Sequence, residues 1–196
     1  MPEIKPLFKR ETSVIVMMDM TDFGQGVRDL DDDKIVAFLS AYYDEMGEVV
    51  QRHGGRLVKY LGDAVLATFP ESKVLQAVQC GMEAVKVFGG FAQRRDIAVG
   101  LSVGVHLGEV SAGTFGHASY LQQDVLGRAV NLAGVACAKG EGLHITEVCY
   151  AKLGPAPPQL HETGTIDVSW LDEPVKLFGL SPVGLVGPVT KPAKRF

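Results

Sequence analysis

The sequence has few cysteines, few histidines and no long apolar run, and each shortage excludes a class of protein. Its 196 residues include three cysteines without Cys-x-x-Cys spacing and five isolated histidines. Neither a disulfide framework nor a zinc cluster is therefore predicted. No stretch approaches the ~20 apolar residues of a membrane-spanning helix, and residues 1–10 lack the apolar core of a secretory signal. A cytoplasmic protein with reduced thiols and no membrane segment is expected.

Positive charge is also scarce: 19 Lys and Arg face 23 Asp and Glu, and the net charge is −4. A protein that binds duplex nucleic acid needs clustered cations to displace counterions from the phosphates, so a nucleic-acid partner is not expected. Hydrophobic residues make up 46% of the chain and charged residues 21%, which is typical of a folded globular protein. We predict one domain over residues 1–185 and a flexible C-terminal tail over 186–196, where Pro188 and Pro192 occur.

The hydrophobic pattern alternates between strands and helices. Residues 12–20 form a nearly continuous apolar run typical of a buried strand, and 34–53 have the spacing of an amphipathic helix capped by the aspartates at 31–33. Gly62-Asp63 separates two strand-like segments and predicts a tight hairpin turn. The other predicted elements are a helix over 74–88 capped by Ser72, a strand over 97–106, a turn and further strand over 108–116, a short helix over 130–138, a strand over 143–146, a helical turn over 147–153, and strands over 165–169 and 175–180.

This order of elements predicts an α+β fold. The hairpin makes part of the sheet antiparallel, and the remaining alternation adds parallel neighbours, so the sheet is mixed. We expect a ferredoxin-like, mixed and largely antiparallel sheet flanked by helices, with the helices packed on one face.

Two aspartates stand at the predicted ends of strands. Asp19 closes the first strand and Asp63 lies in the hairpin turn. If the two strands are neighbours, both carboxylates reach the same sheet edge and can share one or two divalent cations, for which Mg²⁺ is well suited. Taken singly, each aspartate is more typical of an ordinary cap or turn residue.

Five blocks of the sequence, in order, resemble those of class III adenylate and guanylate cyclase catalytic domains, and together they span about residues 12–181. The blocks are Val14–Phe23 (VIVMMDMTDF), His53–Phe69 (HGGRLVKYLGDAVLATF), Val103–Gly113 (VGVHLGEVSAG), Asp124–Ala133 (DVLGRAVNLA) and Glu173–Leu180 (EPVKLFGL). The resemblance implies the fold of that family, a head-to-tail dimer with active sites in the interface, and conversion of ATP to cyclic AMP and pyrophosphate.

The resemblance also implies which residues hold the metal and the phosphates. Asp19 and Asp63 would bind two Mg²⁺ or Mn²⁺ ions, with the Met20 carbonyl as an extra ligand. Backbone amides of the loop formed by Thr21, Asp22, Phe23 and Gly24 would hold the triphosphate.

The resemblance assigns base selection and catalysis to three further residues. In the family the positions of Lys59 and Asp124 face the purine edge from the partner chain, and Asn131 belongs to the catalytic set. Lysine can donate to a ring nitrogen of adenine and aspartate can accept from its amino group, whereas guanine would place a carbonyl against the carboxylate. The pair therefore favours ATP over GTP.

The sequence departs from the family pattern near the phosphates. Val135 stands where an arginine that neutralises the α-phosphate is usual, and the segment around Ser169 lacks a lysine that the family often has. Arg128 precedes Asn131 by three residues and can share its helix face. Three hypotheses follow: an active homodimer of low activity, a silent cyclase-like regulatory or dimerisation domain, and a heterodimer whose other chain supplies the arginine.

Overall fold

The computed structural model describes residues 7–155 and 157–180, which form one eight-stranded sheet with helices on both faces. The strands follow the order β2-β3-β1-β4-β6-β8-β7, and β5 pairs with β4. All pairs are antiparallel except β4 with β6, so the predicted mixed, largely antiparallel sheet is confirmed. The strands are β1 Leu7–Thr21, β2 Arg56–Leu61, β3 Ala64–Pro70, β4 Gly100–His117, β5 Tyr120–Leu126, β6 Gly142–Thr146, β7 His161–Ile166 and β8 Val175–Leu180. The helices are α1 Phe23–Gly26, α2 Asp32–Arg52, α3 Val74–Gln93, α4 Arg128–Cys137 and α5 Glu147–Ala151.

The largest core cluster lies between the sheet and helices α2 and α3. Because side chains alternate along a strand, Val14, Val16 and Met18 of β1 all point to this face. Tyr42 of α2 is fully buried there and meets Phe88 of α3 edge to face, with ring centroids 5.6 Å apart. The Asp31 carboxylate accepts a hydrogen bond from the Lys34 amide at 2.9 Å, so the predicted capping of α2 is confirmed.

Helix α4 packs on the opposite face of the sheet, and the prediction that the helices share one face was therefore wrong. Ala129 and Ala133 of α4 form a second cluster with Ile15 of β1 and Leu66 of β3. The helix approaches β4 closely at Gly104, where an added Cβ atom would lie 2.1 Å from the Ala133 carbonyl oxygen. Small residues on both elements permit this contact, and they hold α4 tightly against the sheet.

Other local predictions were also wrong. A turn was expected after His106, whereas β4 continues unbroken to His117. Ser72 was expected to cap α3, but it lies within a 3₁₀ turn, Glu71–Lys73, and the capping position is Lys73 without a side-chain hydrogen bond. No helix within residues 7–155 and 157–180 is long and apolar enough to span a membrane. The predicted tail over 186–196 lies outside the described residues.

Candidate active site

Asp19 and Asp63 lie at one edge of the sheet because β1 and β3 are antiparallel neighbours. The register pairs Met18 with Val65; Asp19 follows the first of these residues, and Asp63 precedes the second by two positions. Asp19 is exposed, but partial desolvation raises its pKa, the negative charge of Asp63 raises that pKa further, and a hydrogen bond from the Met20 amide partly opposes both effects. The strand pairing thus places the two carboxylates at the same end of neighbouring strands.

The turn that carries Asp63 is held by an aromatic contact from α2. Gly62 adopts a positive φ of 63°, which suits glycine. The Tyr43 hydroxyl donates a hydrogen bond of 2.5 Å to the Gly62 carbonyl, and the Tyr43 ring stacks on Tyr60 of β2 with centroids 4.1 Å apart. The position of Tyr43 in the sequence predicts only a packing residue of α2, since its spacing gives no sign of the hydrogen bond to Gly62.

The loop after β1 turns sharply at Asp22, which has a left-handed backbone with φ of 58°. Its carbonyl accepts from the amides of Gln25 and Gly26, which closes the short helix α1. A Cβ atom added at Gly24 would meet nothing within 4 Å, so the loop is open to an approaching group. Thr21 is half-buried at the end of β1, and the half-buried Phe23 packs against the main core with its ring stacked on Phe38.

Lys59 and Asp124 form an ion pair within this chain, although 65 positions separate them in sequence. Lys59 Nζ lies 2.7 Å from Asp124 Oδ2, and the Val125 amide donates to the other carboxylate oxygen at 2.8 Å. Asp124 is 5% exposed, while the Lys59 side chain is 25% exposed. The carboxylate is thus fixed from two directions, and the ammonium group keeps access to solvent.

Helix α4 presents Asn131 and Arg128 to solvent, and their spacing of three places them on one helix face. Val135 is half-buried and packs against the third core cluster, which includes Ile166 and Leu177 of the last strands. Position 135 therefore makes an apolar contact in this protein. Ser169 is exposed beyond β7.

The two carboxylates at this sheet edge suit a hard cation whose remaining ligands are water and substrate phosphates. Among the described residues no group of three or more His, Cys, Asp and Glu side chains can hold a metal ion. Two carboxylates are nevertheless sufficient for Mg²⁺, which typically binds one or two protein carboxylates together with water and substrate phosphates. Asp19 and Asp63 fit this pattern, and cation binding would relieve their mutual repulsion.

Comparisons with known proteins agree with this fold. The family described as the adenylate and guanylate cyclase catalytic domain matches residues 8–178. An adenylate cyclase of Anabaena cylindrica is 30% identical over 126 residues, which are 58% of this chain and 25% of that protein. The chain spans a quarter or less of the length of the curated relatives it matches.

Solved structures give the same result for the fold. The adenylyl cyclase CyaB from P. aeruginosa superimposes with a TM-score of 0.82 at 21% identity, over 89% of this chain and 95% of that one. The guanylyl cyclase Cya2 gives a TM-score of 0.77 at 22% identity, over 90% and 96% of the two chains. Since the family match covers nearly all of the described residues, this chain belongs to the family of adenylate and guanylate cyclase catalytic domains.

Proposed function

We propose that this domain is an adenylate cyclase that converts ATP to 3′,5′-cyclic AMP and pyrophosphate at the interface of a homodimer. The observation that carries the proposal is the pairing of β1 with β3, which places Asp19 and Asp63 at one sheet edge, in a chain of the cyclase family. In the reaction the ribose 3′-oxygen forms a bond to the α-phosphorus. The bond to the β-phosphate oxygen breaks, pyrophosphate leaves, and the proton of the 3′-hydroxyl passes to solvent.

Asp19 and Asp63 would hold two Mg²⁺ or Mn²⁺ ions, and the Met20 carbonyl would be a further ligand. Such ions supply Lewis acidity that lowers the pKa of the 3′-hydroxyl and neutralises the phosphate charge. The loop of Thr21, Asp22, Phe23 and Gly24 binds and orients the triphosphate through its amides. Its open surface at Gly24 supports this role.

Lys59 and Asp124 select the base. Their ion pair keeps the carboxylate in place before the substrate arrives, so an adenine amino group meets an oriented acceptor. Guanine would bring a carbonyl oxygen to the same carboxylate, and an unsatisfied buried group costs ~1–3 kcal/mol. A preference for ATP over GTP follows. Asn131, exposed on α4, would orient the reacting ribose and phosphate from the partner chain.

A homodimer is supported by the exposed apolar residues of the β4–β5 arm. Tyr120 at its tip is 69% exposed and Leu121 is 48% exposed, and Leu126 at its other end is also exposed. Large apolar side chains grouped on one projecting hairpin mark a contact surface. A second copy of this chain would cover them.

A second candidate function is a catalytically weak or silent domain that dimerises and regulates. The apolar contact of Val135 favours it, because that position offers no cation to the phosphates. A heterodimer would resolve the deficit if the other chain supplied the arginine. Retention of both carboxylates and both base-selecting residues favours the enzyme.

The test is an assay of the purified protein with Mn²⁺ and either ATP or GTP, with the cyclic product separated by chromatography. Asp19→Ala and Asp63→Asn serve as inactive controls. We expect cyclic AMP above both controls, less product from GTP, and a rate that rises with the square of protein concentration at low dose. If no product exceeds the controls, the proposed enzyme activity fails and the regulatory function remains. A rate that stays strictly linear in protein at low dose would refute the homodimer.

A further inference from the structure

The Gly62–Asp63 turn has little packing of its own. Gly62 is exposed, and a Cβ atom added to it would meet nothing within 4 Å. Asp63 is half-buried, and the adjoining Leu61 is exposed. A two-residue turn in open surroundings can adopt several backbone orientations unless another element fixes it. A carboxylate intended for a cation must be held within about 0.5 Å of its working position.

The fixing contact comes from Tyr43. Its hydroxyl donates to the carbonyl of Gly62, the residue immediately before Asp63. Since a peptide unit is planar, the orientation of that carbonyl also sets the orientation of the Asp63 amide and the direction from which the Asp63 backbone departs. One hydrogen bond thereby restricts the direction in which the carboxylate points.

Tyr43 itself is held firmly. Its ring stacks on Tyr60, and the Tyr60 hydroxyl donates back to the Tyr43 carbonyl at 3.3 Å. Tyr42, the preceding residue of α2, is fully buried against Phe88. The hydroxyl that reaches Gly62 is thus fixed both to the strand that enters the turn and to the main core.

We infer that Tyr43 is a positioning residue, whose hydroxyl orients the Gly62–Asp63 peptide so that Asp63 is preorganised for a divalent cation. The inference rests on the proposed function, since it assumes that Asp63 binds the cation. Partners of this kind behind a metal ligand typically change affinity or activity 10–100-fold when they are removed. Because the hydrogen bond is exposed to solvent, its loss is expected to affect the cation site far more than the folding of the domain.

The experiment compares Tyr43→Phe, which keeps the stacked ring and removes only the hydroxyl, with two matched variants. Tyr60→Phe removes the neighbouring hydroxyl, which does not touch the turn. Tyr150→Phe removes a hydroxyl from a ring stacked on Phe178, far along the chain. Binding of Mn²⁺ alone is titrated by the electron paramagnetic resonance signal of the free ion, and metal-free unfolding and steady-state kinetics are measured beside it.

We expect Tyr43→Phe to weaken Mn²⁺ binding about 10-fold and to lower kcat more than it changes KM for ATP. The metal-free unfolding midpoint is expected to stay within 2 °C or so of the wild type, since the domain loses one exposed hydrogen bond. Tyr150→Phe is expected to bind Mn²⁺ as the wild type does, and Tyr60→Phe, which keeps the ring stacked on Tyr43, is expected to lose less than Tyr43→Phe. Mn²⁺ binding by Tyr43→Phe within twofold of wild type would overturn the inference, as would an equal loss in Tyr60→Phe.

The Asp63→Asn variant separates this inference from the proposed function. If Asp63→Asn binds Mn²⁺ as tightly as the wild type, the cation does not depend on Asp63, and the proposed metal site fails together with the role of Tyr43. If Asp63→Asn loses binding and Tyr43→Phe does not, only the role of Tyr43 fails.

Discussion

The ion pair between Lys59 and Asp124 predicts an asymmetric response to mutation. Lys59→Met leaves a carboxylate that is 5% exposed with the Val125 amide as its remaining donor. Removing one partner of a buried pair costs about 3–5 kcal/mol. Because the Lys59 side chain is 25% exposed, water can replace part of the ammonium group, and we expect about 2–3 kcal/mol.

Substitution of the other partner, Asp124, is expected to reduce stability less. Asp124→Asn keeps the shape of the side chain and an oxygen for the Val125 amide, while Lys59 can turn its ammonium group to solvent. We expect a loss of about 1 kcal/mol. The double variant Lys59→Met with Asp124→Leu is expected to be more stable than Lys59→Met alone, since the uncompensated charge is gone.

Thermal and urea unfolding of the metal-free protein measure these differences. For a domain of this size 1 kcal/mol moves the midpoint by about 2–4 °C, so Lys59→Met is expected to lose roughly 5–10 °C and Asp124→Asn about 3 °C. A surface pair elsewhere, Lys152 with Glu71 at 3.5 Å, provides the control, and Lys152→Met is expected to be nearly neutral. Equal losses for Lys59→Met and Asp124→Asn, with additive effects in the double variant, would refute the reasoning.

Three further predictions concern the site. Lys59→Glu combined with Asp124→Cys is expected to erode the preference for ATP, and unchanged discrimination between ATP and GTP would contradict the assignment of these residues to the base. Val135→Arg is expected to raise the rate of cyclic AMP formation and to cost about 1 kcal/mol of stability, because the valine packs in an apolar cluster; an unchanged or lower rate would mean that another group already fills the arginine's role. Asp19→Asn is expected to raise the metal-free unfolding midpoint at pH 7. Partial desolvation and then the charge of Asp63 raise the pKa of Asp19, so the stability of the wild type falls as the pH rises through that pKa. The advantage is expected to disappear in acid, and equal midpoints at pH 7 would contradict it.

Local patterns predicted most elements of the fold, and they failed where glycine had a second use. The Gly62-Asp63 pair marked the hairpin correctly, because a two-residue turn needs a positive φ. The glycines from Gly108 onward suggested a turn, yet β4 continues through them, and at Gly108 the missing side chain leaves room for Ala129 of α4. A pattern of apolar residues shows that a helix has a buried face, but it does not show which side of the sheet receives it.

Local motifs were sufficient to name the residues of the site, but not to predict the long-range contacts between them. The local motifs marked Asp19 and Asp63, but the pairing of β1 with β3 that brings them to one edge stayed a condition, because the hairpin pairs only β2 with β3. The direct pairing of Lys59 with Asp124 within a single chain depends on how β5 folds back beside β2, which no spacing reveals. The hydrogen bond from Tyr43 to Gly62 likewise depends on where the hairpin tip meets α2.

The contact between α4 and β4 has a consequence for how this domain can vary. The distance of that helix from the sheet depends on a hydrogen atom at position 104, because even a methyl group there would collide with the Ala133 carbonyl. Asn131 is carried on the same helix, two positions from that carbonyl. Substitution of Gly104 by alanine would therefore lift the asparagine away from the sheet without touching a single residue of the reaction centre.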